Sequence, residues 1–236
     1  MSGDPLVVVT GASRGVGREA VLALVNVHAV NVLAVARDQA ALDSLQRQCA
    51  GARANVETLV LDLAALDAVD NVQRQVGKRR VLGLLNNAGL LRKRGFGMWT
   101  LDDLQALFQV NASVPFLLVQ ALVERLSGDP PGHVVNIGSM GGVQGSVKFP
   151  GLAGYSASKM ALAGFTECLA EELRDRQVRC NCLALGAVDT DMLRAAFPGY
   201  QAPVTAEAMG REVARFLIEG HNYFNGKVLP MSLSTP

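Results

Sequence analysis

Charged residues are scarce in this chain of 236 residues: Asp, Glu, Lys and Arg together make up 18%, against about 25% in an average globular protein. The two signs nearly cancel, because 22 Lys and Arg face 21 Asp and Glu. A formal net charge of +1 leaves no global field to hold a polyanion, so nucleic acid is not expected as a partner. Hydrophobic residues make up 50%, which excludes a disordered chain and predicts a heavily buried fold.

Cysteine and histidine are also few. The four cysteines, Cys49, Cys168, Cys180 and Cys182, lie far apart except for one Cys-x-Cys pair, and three His accompany them. This spacing does not match a zinc site, so no metal is expected. We interpret all four cysteines as buried, reduced thiols, which predicts a cytoplasmic protein.

No segment indicates export or a membrane span. Residues 1–5 carry no basic stretch ahead of the apolar run that follows them. The longest apolar stretch, residues 114–123, is interrupted by Gln120 and is shorter than the ~20 residues that cross a bilayer. We therefore expect neither secretion nor contact with a membrane.

Short β-branched apolar runs alternate with segments of helical periodicity along the chain. This alternation is typical of repeated βαβ units and predicts an α/β protein, a doubly wound parallel sheet of about seven strands with helices on both faces. No linker divides the chain, so we expect a single domain over residues 1–236. Strands are predicted at residues 6–10, 31–36, 56–61, 81–85, 133–137, 178–184 and 227–229, and helices at 14–25, 39–49, 66–76, 101–108, 112–126, 155–174 and 206–219.

A glycine-rich turn follows the first predicted strand. Residues 10–17 read Thr-Gly-Ala-Ser-Arg-Gly-Val-Gly and lead directly into a good helix former. This order forms an anion site, because free backbone N–H groups and the positive end of the helix dipole face the turn. Gly11 suits a tight turn, Gly15 the close approach of a pyrophosphate, and Gly17 the packing of helix on strand. A merely structural βα turn is the alternative.

The end of the second predicted strand indicates which dinucleotide binds. An acidic residue there binds the ribose 2′-hydroxyl of NAD, whereas a basic residue binds the 2′-phosphate of NADP. Arg37 stands there, and Arg14 in the glycine turn can supply a second guanidinium, so the sequence favours NADP over NAD. Asp38 follows immediately, either as the N-cap of the next helix or as a partner for the hydroxyl pair of NAD.

Tyr155 and Lys159 lie four residues apart in a predicted helix, which places them on one face. A nearby ammonium favours phenolate, so we expect a lowered pKa for Tyr155 and a role as general acid and base. Ser139 follows a predicted strand, at the edge where doubly wound sheets bind ligands, and is placed to hydrogen-bond a substrate oxygen. A solvated Tyr–Lys pair and a turn serine are the alternatives for these residues taken singly.

Together these motifs resemble the short-chain dehydrogenase/reductase family over almost the whole chain. Residues 10–17 resemble its cofactor loop, Asp62 and Leu63 its adenine contact, and residues 86–89 its Asn-Asn-Ala-Gly segment after the fourth strand. Within the family, the pattern is most similar to the single-domain type of the β-ketoacyl-acyl-carrier-protein reductases. The residues that resemble its catalytic tetrad are Asn111, Ser139, Tyr155 and Lys159.

The resemblance implies a Rossmann-type fold, with a cofactor half in roughly residues 1–130 and a catalytic half in roughly residues 131–236. It implies hydride transfer between a nicotinamide cofactor and a small-molecule carbonyl or alcohol. Tyr155 then exchanges the proton, while Lys159 lowers the pKa of the phenol and holds the nicotinamide ribose. Ser139 polarises the carbonyl, and Asn111 holds a water. The implied cofactor-binding residues are Gly11, Ser13, Arg14, Gly15, Val16, Gly17, Arg37, Asp62, Leu63, Asn87, Ala88, Gly89, Tyr155, Lys159, Gly186, Val188 and Thr190.

Three segments depart from the family pattern. Leu185 stands where the family usually has a proline, which predicts a less rigid turn on the nicotinamide side. The segment before Tyr155 is longer than usual, and we interpret residues 145–152 as an enlarged loop at the mouth of the substrate site. Residues 28–29 replace a glycine, so the first helix ends either without a left-handed residue or with non-glycine strain.

The family builds its substrate lid in the segment that corresponds to residues 191–203. Because this segment is short, we expect a small lid over an open, apolar cleft and a ketone or aldehyde substrate with a hydrophobic body. Plain core packing is the alternative for each candidate wall. The candidate walls are Met140, Phe149, Met192 and Phe197.

Two predicted helices, residues 112–126 and 155–174, are apolar around much of their circumference. Such helices must be covered on two sides, by the sheet on one side and, on the other, most naturally by a partner subunit. The resemblance implies that they pair across two-fold axes, so we expect a homodimer or homotetramer.

Two other functions remain open at this point. A dinucleotide-binding sensor or scaffold without turnover is favoured by Leu185 but opposed by the joint presence of the four tetrad residues. An NAD-linked alcohol or sugar dehydrogenase is favoured by Asp38 and opposed by Arg37.

Overall fold

A computed structural model describes residues 4–233 and places a parallel sheet at the centre of the fold. The strands are β1 Leu6–Thr10, β2 Asn31–Ala36, β3 Val56–Val60, β4 Val81–Asn86, β5 Gly132–Ser139, β6 Val178–Leu185, β7 Val188–Asp189, β8 Val204–Thr205 and β9 Lys227–Met231. Seven of them form one sheet in the order β3-β2-β1-β4-β5-β6-β9, with every pair parallel. The predicted seven-stranded doubly wound sheet is confirmed.

The helices occupy the segments between the strands. Predicted residues 101–108 and 112–126 form one continuous helical run, joined by a π-helical segment, Gln109–Ser113. Helix α6 begins two residues before Tyr155, so this tyrosine lies in the first turn. The α-helices are α1 Gly15–Asn26, α2 Gln39–Gln48, α3 Ala68–Val76, α4 Leu101–Phe108, α5 Val114–Leu126, α6 Ala153–Glu172, α7 Asp191–Ala196 and α8 Ala206–Glu219.

Three short elements were not predicted: β7, β8 and α7. Two-residue strands and a six-residue helix are too short to establish a hydrophobic period, so the sequence carries no signal for them. All three lie between β6 and α8, in the segment expected to form the lid.

Alternate residues of the central strands face two separate cores. In β1, Val7 and Val9 belong to the core on the side of α1, α2 and α8, whereas Leu6 and Val8 belong to the core on the side of α3 and α5. Both faces of the sheet are therefore buried, as continuous apolar strands require.

Helix α1 ends without glycine and with left-handed strain. Ala29 adopts a φ of 54°, which is costly for a residue with a β-carbon. Of the two alternatives stated for residues 28–29, the structure selects the strained one.

The prediction that all four cysteines are buried is wrong for Cys168. Cys49, Cys180 and Cys182 are buried, but Cys168 is exposed, because it lies on a face of α6 that no described element covers. All four thiols are free.

The helical run Leu101–Leu126 is long and apolar enough, by length and composition alone, to cross a membrane. In its most apolar window 44% is buried inside the fold, and Leu118, Leu122 and Leu126 of α5 belong to the core beside the sheet. The core helix of a globular protein meets the same criterion, and the absence of membrane contact stays a prediction. Residues 1–3 of the segment considered for export lie outside the described residues.

Candidate active site

A cleft of about 740 Å³ opens at the carboxyl edge of the sheet. It lies where the strand order reverses between β1 and β4, the position at which doubly wound sheets bind ligands. Of the predicted site residues, Gly17 and Asn111 lie behind the lining. The others line the cleft: Gly11, Ser13, Arg14, Gly15, Val16, Arg37, Asp62, Leu63, Asn87, Ala88, Gly89, Ser139, Tyr155, Lys159, Gly186, Val188 and Thr190.

The glycine turn approaches the segment after β4 too closely for side chains. Gly11 has a φ of 66°, and a β-carbon on it would lie 2.8 Å from the Ala88 Cα. A β-carbon on Gly17 would lie 2.3 Å from the Asn87 Nδ2 and 2.4 Å from the Gly11 carbonyl oxygen. Gly17 thus allows α1 to pack against the Asn87 side chain, a neighbour that the sequence pattern did not identify.

The first turn of α1 is uncapped. Arg14 occupies the N-cap position with an extended backbone, and its side chain makes no capping hydrogen bond. The N–H groups of the first turn have no helical partners, and Gly15 and Val16 line the cleft. An anion in the cleft would supply these missing acceptors.

Thr10 joins the two strand ends beneath the turn. Its Oγ1 accepts hydrogen bonds from the backbone N–H groups of Asn87 and Ala88, both at 3.1 Å, and donates to the Leu85 carbonyl at 3.3 Å. Asn87 Nδ2 donates to the carbonyl oxygens of Thr10, at 3.1 Å, and of Gly11, at 3.0 Å. The role of the Thr10 hydroxyl was missed, because its partners lie more than 70 residues away in sequence.

Two guanidinium groups flank the outer part of the cleft. Arg37 lies 4.0 Å from Asp62 and Arg14 lies 3.9 Å from Asp191, and their side chains are 68% and 69% exposed. Ion pairs this long and exposed contribute little, so both groups remain available to an anion. Asp38 caps α2 by accepting from the Ala41 N–H at 3.0 Å, as its N-cap interpretation predicted.

Lys159 is the buried cation of the site. Its side chain is enclosed between α6 and β5, the residue is 3% exposed, and its Nζ donates to the Ile137 carbonyl at 2.7 Å. Burial lowers its pKa to about 8, and the nearby Cys182 thiol opposes this shift. At neutral pH the ammonium form still predominates.

The prediction of a lowered pKa for Tyr155 is wrong for the chain alone. Burial raises the pKa of this phenol, and a hydrogen bond with Ser139 opposes the rise without reversing it. The physical reason is that desolvation disfavours the phenolate, while the Lys159 amine donates to the Ile137 carbonyl. At neutral pH Tyr155 therefore carries its proton.

Asn111 is fully buried in the π-helical segment. Its Oδ1 accepts from the Leu90 N–H at 2.7 Å, and its Nδ2 donates to the Leu90 carbonyl at 2.8 Å and to Ser158 Oγ at 2.9 Å. The side chain thus anchors the segment after β4 to α6. Its role in holding a water stays a prediction.

The turn after β6 is ordered without a proline. Leu185 is the last residue of β6 and pairs with Met231 of β9, and the Gly186 N–H donates to the Met231 carbonyl at 3.0 Å. The sheet therefore supplies the restraint that we expected to be lost. Thr190 caps α7, and its methyl group would lie 3.3 Å from a β-carbon on Gly15, so α7 begins against the glycine turn.

Three segments cover the inner part of the cleft. Phe149 of the enlarged loop and Phe197 after α7 pack with ring centroids 5.1 Å apart. The Arg94 N–H donates to the Gly151 carbonyl at 2.9 Å and ties this loop to the segment after β4. The predicted walls Met140, Phe149, Met192 and Phe197 all line the cleft. Arg92 also lines it and was not predicted.

Three features define a Rossmann-like, dinucleotide-binding class of protein: a parallel sheet whose strand order reverses between β1 and β4, an uncapped helix α1 and a glycine turn before it. Residues 5–201 match the model of the short chain dehydrogenase family. The chain therefore belongs to the short-chain dehydrogenase/reductase family of oxidoreductases and is similar to β-ketoacyl-acyl-carrier-protein reductases.

Individual relatives agree with this assignment. The 3-oxoacyl-acyl-carrier-protein reductase of Synechocystis is 33% identical over 78% of this chain and 74% of its own. Carbonyl reductase (NADPH) 2 of Sus scrofa is 33% identical over 90% and 79% of the two chains. The structure of the Pseudomonas aeruginosa RhlG/NADP active-site complex superposes with a TM-score of 0.84, covering 98% of this chain and 96% of that chain, at 23% identity, and shows the shared fold.

Lys159→Met tests the burial of the ammonium. Because the pKa is about 8 in the folded chain and 10.5 in the unfolded chain, the unfolded chain holds more protons between these values. The free energy of unfolding of the wild type, minus that of the variant, should therefore rise with pH, by about 1–2 kcal/mol between pH 7.5 and 9.5. Urea denaturation at several pH values measures it; a difference that stays flat contradicts the burial. The other titrating groups are present in both proteins, so the difference between wild type and variant reports mainly on Lys159.

Proposed function

We propose that this protein is an NADPH-dependent reductase that reduces a ketone or aldehyde with an apolar body. The observation that carries the proposal is that Ser139, Tyr155 and Lys159 line the same cleft as the glycine turn. An anion site and a proton-exchanging group in one cleft are what hydride transfer to a carbonyl requires.

The residues of the outer cleft fit a dinucleotide. The N–H groups of Gly15 and Val16 would hold the pyrophosphate, because both residues line the cleft at the uncapped start of α1. Asp62 and Leu63 would contact the adenine, and Val188 and Thr190 the nicotinamide carboxamide. When bound, the cofactor supplies the hydride.

Arg37 and Arg14 support NADP over NAD. Two exposed guanidinium groups suit a 2′-phosphate, and the capping role of Asp38 removes the main argument for NAD. A relative with 33% identity is named for NADPH.

The inner residues would manage the proton. With its pKa raised, Tyr155 is protonated at neutral pH and so enters reduction as the acid. Ser139 hydrogen-bonds Tyr155 and would donate to the substrate carbonyl oxygen as negative charge develops there. Lys159, an ammonium at neutral pH, would hold the nicotinamide ribose.

We also propose that residues 1–236 act as one domain in the cytoplasm. The seven-stranded sheet draws strands from both halves of the chain, and all four cysteines are free, which suits a reducing compartment.

Tyr155→Phe tests the proton donor. We expect kcat to fall by about 10²- to 10⁴-fold for apolar ketones, while NADPH still binds, because only the hydroxyl is removed. NADPH oxidation followed at 340 nm with a panel of ketones, and titration calorimetry with NADPH, measure the two properties. Undiminished turnover in the variant would show that Tyr155 is not the proton donor. A wild type that binds NADPH but reduces no carbonyl is instead a sensor or scaffold.

Arg37→Ala tests the choice of cofactor. The affinity for NADPH should fall about tenfold or more, whereas that for NADH should change little, because only NADPH carries the 2′-phosphate. Calorimetric titration of both cofactors into wild type and variant measures this. Equal losses of affinity for NADPH and NADH would contradict the binding of the 2′-phosphate by Arg37.

We further propose a homodimer or homotetramer formed through α5 and α6. Leu117, Met160 and Phe165 are exposed on these helices, and Phe165 packs against Phe116 with ring centroids 5.0 Å apart. Burying such side chains against a second copy would stabilise the assembly.

Leu117→Glu should shift the assembly toward monomer, because a carboxylate would have to be desolvated at the interface. Sedimentation velocity at micromolar concentration measures the shift. A wild type that is a stable monomer at this concentration overturns the proposal.

A further inference from the structure

We infer that the substrate carries an anionic oxygen group, a carboxylate or a phosphate, and that Arg92 binds it. This inference rests on the proposed reductase function and narrows its substrate class.

Arg92 lies in the cleft just after an anchored stretch of backbone. It lines the cleft, and its side chain is 34% exposed. Two residues earlier, both backbone polar groups of Leu90 are bound by the buried Asn111. The backbone before Arg92 is therefore anchored to the same buried elements that hold Lys159.

The charge around Arg92 is incompletely balanced. Its Nη1 donates to Asp103 Oδ1 at 2.6 Å, but Arg94 donates to the same carboxylate through Nε at 3.2 Å and Nη2 at 3.3 Å. The Asp103 side chain is 6% exposed, and the hydrogen bond from Arg92 is the main cause that lowers its pKa to about 2. One carboxylate thus faces two guanidinium groups, so the cluster keeps a net charge of +1.

Most of the donors of Arg92 remain available for a ligand. A guanidinium has five N–H groups, and the bond to Asp103 uses one nitrogen, Nη1. The remaining N–H groups form a planar fork that matches two oxygens of a carboxylate or phosphate.

Other carboxylates of the described lining do not neutralise this charge. They are Asp38, Asp62 and Asp191. Asp38 caps α2, Asp62 lies beside Arg37, and Asp191 is bonded to Arg194 at 2.7 Å. Because Lys159 adds a further positive charge, the inner cleft has a positive excess that favours an anionic substrate.

Apolar walls and one cation together indicate an amphipathic substrate. Phe149 and Phe197 would contact its hydrocarbon body, while Arg92 would bind the anionic group. An oxo acid or an oxo phosphate ester with an apolar body has this combination.

The test compares an apolar oxo acid with its methyl ester, which keeps the same body and the same reacting carbonyl. A phosphate monoester of the matching hydroxyketone forms a third arm. We expect kcat/KM to be about 10- to 100-fold higher for an anionic substrate than for the ester, mainly through a lower KM, because one charged hydrogen-bonded contact contributes that much. The arm with the higher value identifies carboxylate or phosphate as the group.

Arg92→Gln should lower kcat/KM for the anionic substrate by about 10- to 100-fold and so remove the preference. Arg94→Lys is the matched control, because Arg94 binds the same Asp103 carboxylate but does not line the cleft, and lysine keeps the net charge of the cluster. The control variant should keep the preference for the anionic substrate over the ester, even if its thermal unfolding midpoint falls as far as that of Arg92→Gln. Loss of the preference in both variants alike would assign the effect to the fold and overturn the role of Arg92.

A second readout does not need turnover. A saturated carboxylic acid of the same length, titrated calorimetrically into the protein with NADP, should bind the wild type and Arg94→Lys more tightly than Arg92→Gln. Equal turnover of acid and ester by the wild type overturns the inference but leaves the reductase function intact. If the protein reduces neither these three compounds nor any neutral ketone, the reductase function itself is contradicted.

Discussion

The floor of the cleft depends on the near-contact between the glycine turn after β1 and the segment after β4. Gly11 and Gly17 leave no room for a β-carbon there, and Thr10 and Asn87 bond the two segments to each other. These strands flank the point where the sheet order reverses. This junction holds the ends of β1 and β4 together, so the glycine turn and the segment after β4 line the same cleft.

Burial shifts the pKa values of the two central groups in opposite directions. It lowers the pKa of Lys159, whose charged form is cationic, and raises that of Tyr155, whose charged form is anionic. The result at neutral pH is a protonated phenol and, four residues later on the same helix, a lysine ammonium that burial destabilises. This state suits delivery of a proton to a carbonyl oxygen, in agreement with the similarity to reductases.

Asn111 connects α6, which carries Tyr155 and Lys159, to the segment after β4. Its amide binds Ser158 of α6 and both polar groups of the Leu90 backbone, and Arg92 follows two residues later. A residue predicted for the proton pathway thus also positions the segment that carries the proposed anion contact. The π-helical segment in which Asn111 lies is a local irregularity of a kind often found at functional sites.

Local patterns were enough to predict the seven parallel strands, the glycine turn and the Tyr155–Lys159 spacing, because these depend on hydrophobic period, on glycine and on helical geometry. The folded chain was needed to establish the direction of the Tyr155 pKa shift, the bonds of the Thr10 hydroxyl and the place of Arg92 in the cleft. Each of these depends on burial or on partners distant in sequence, and no local pattern records how a side chain is desolvated or which carboxylate it shares.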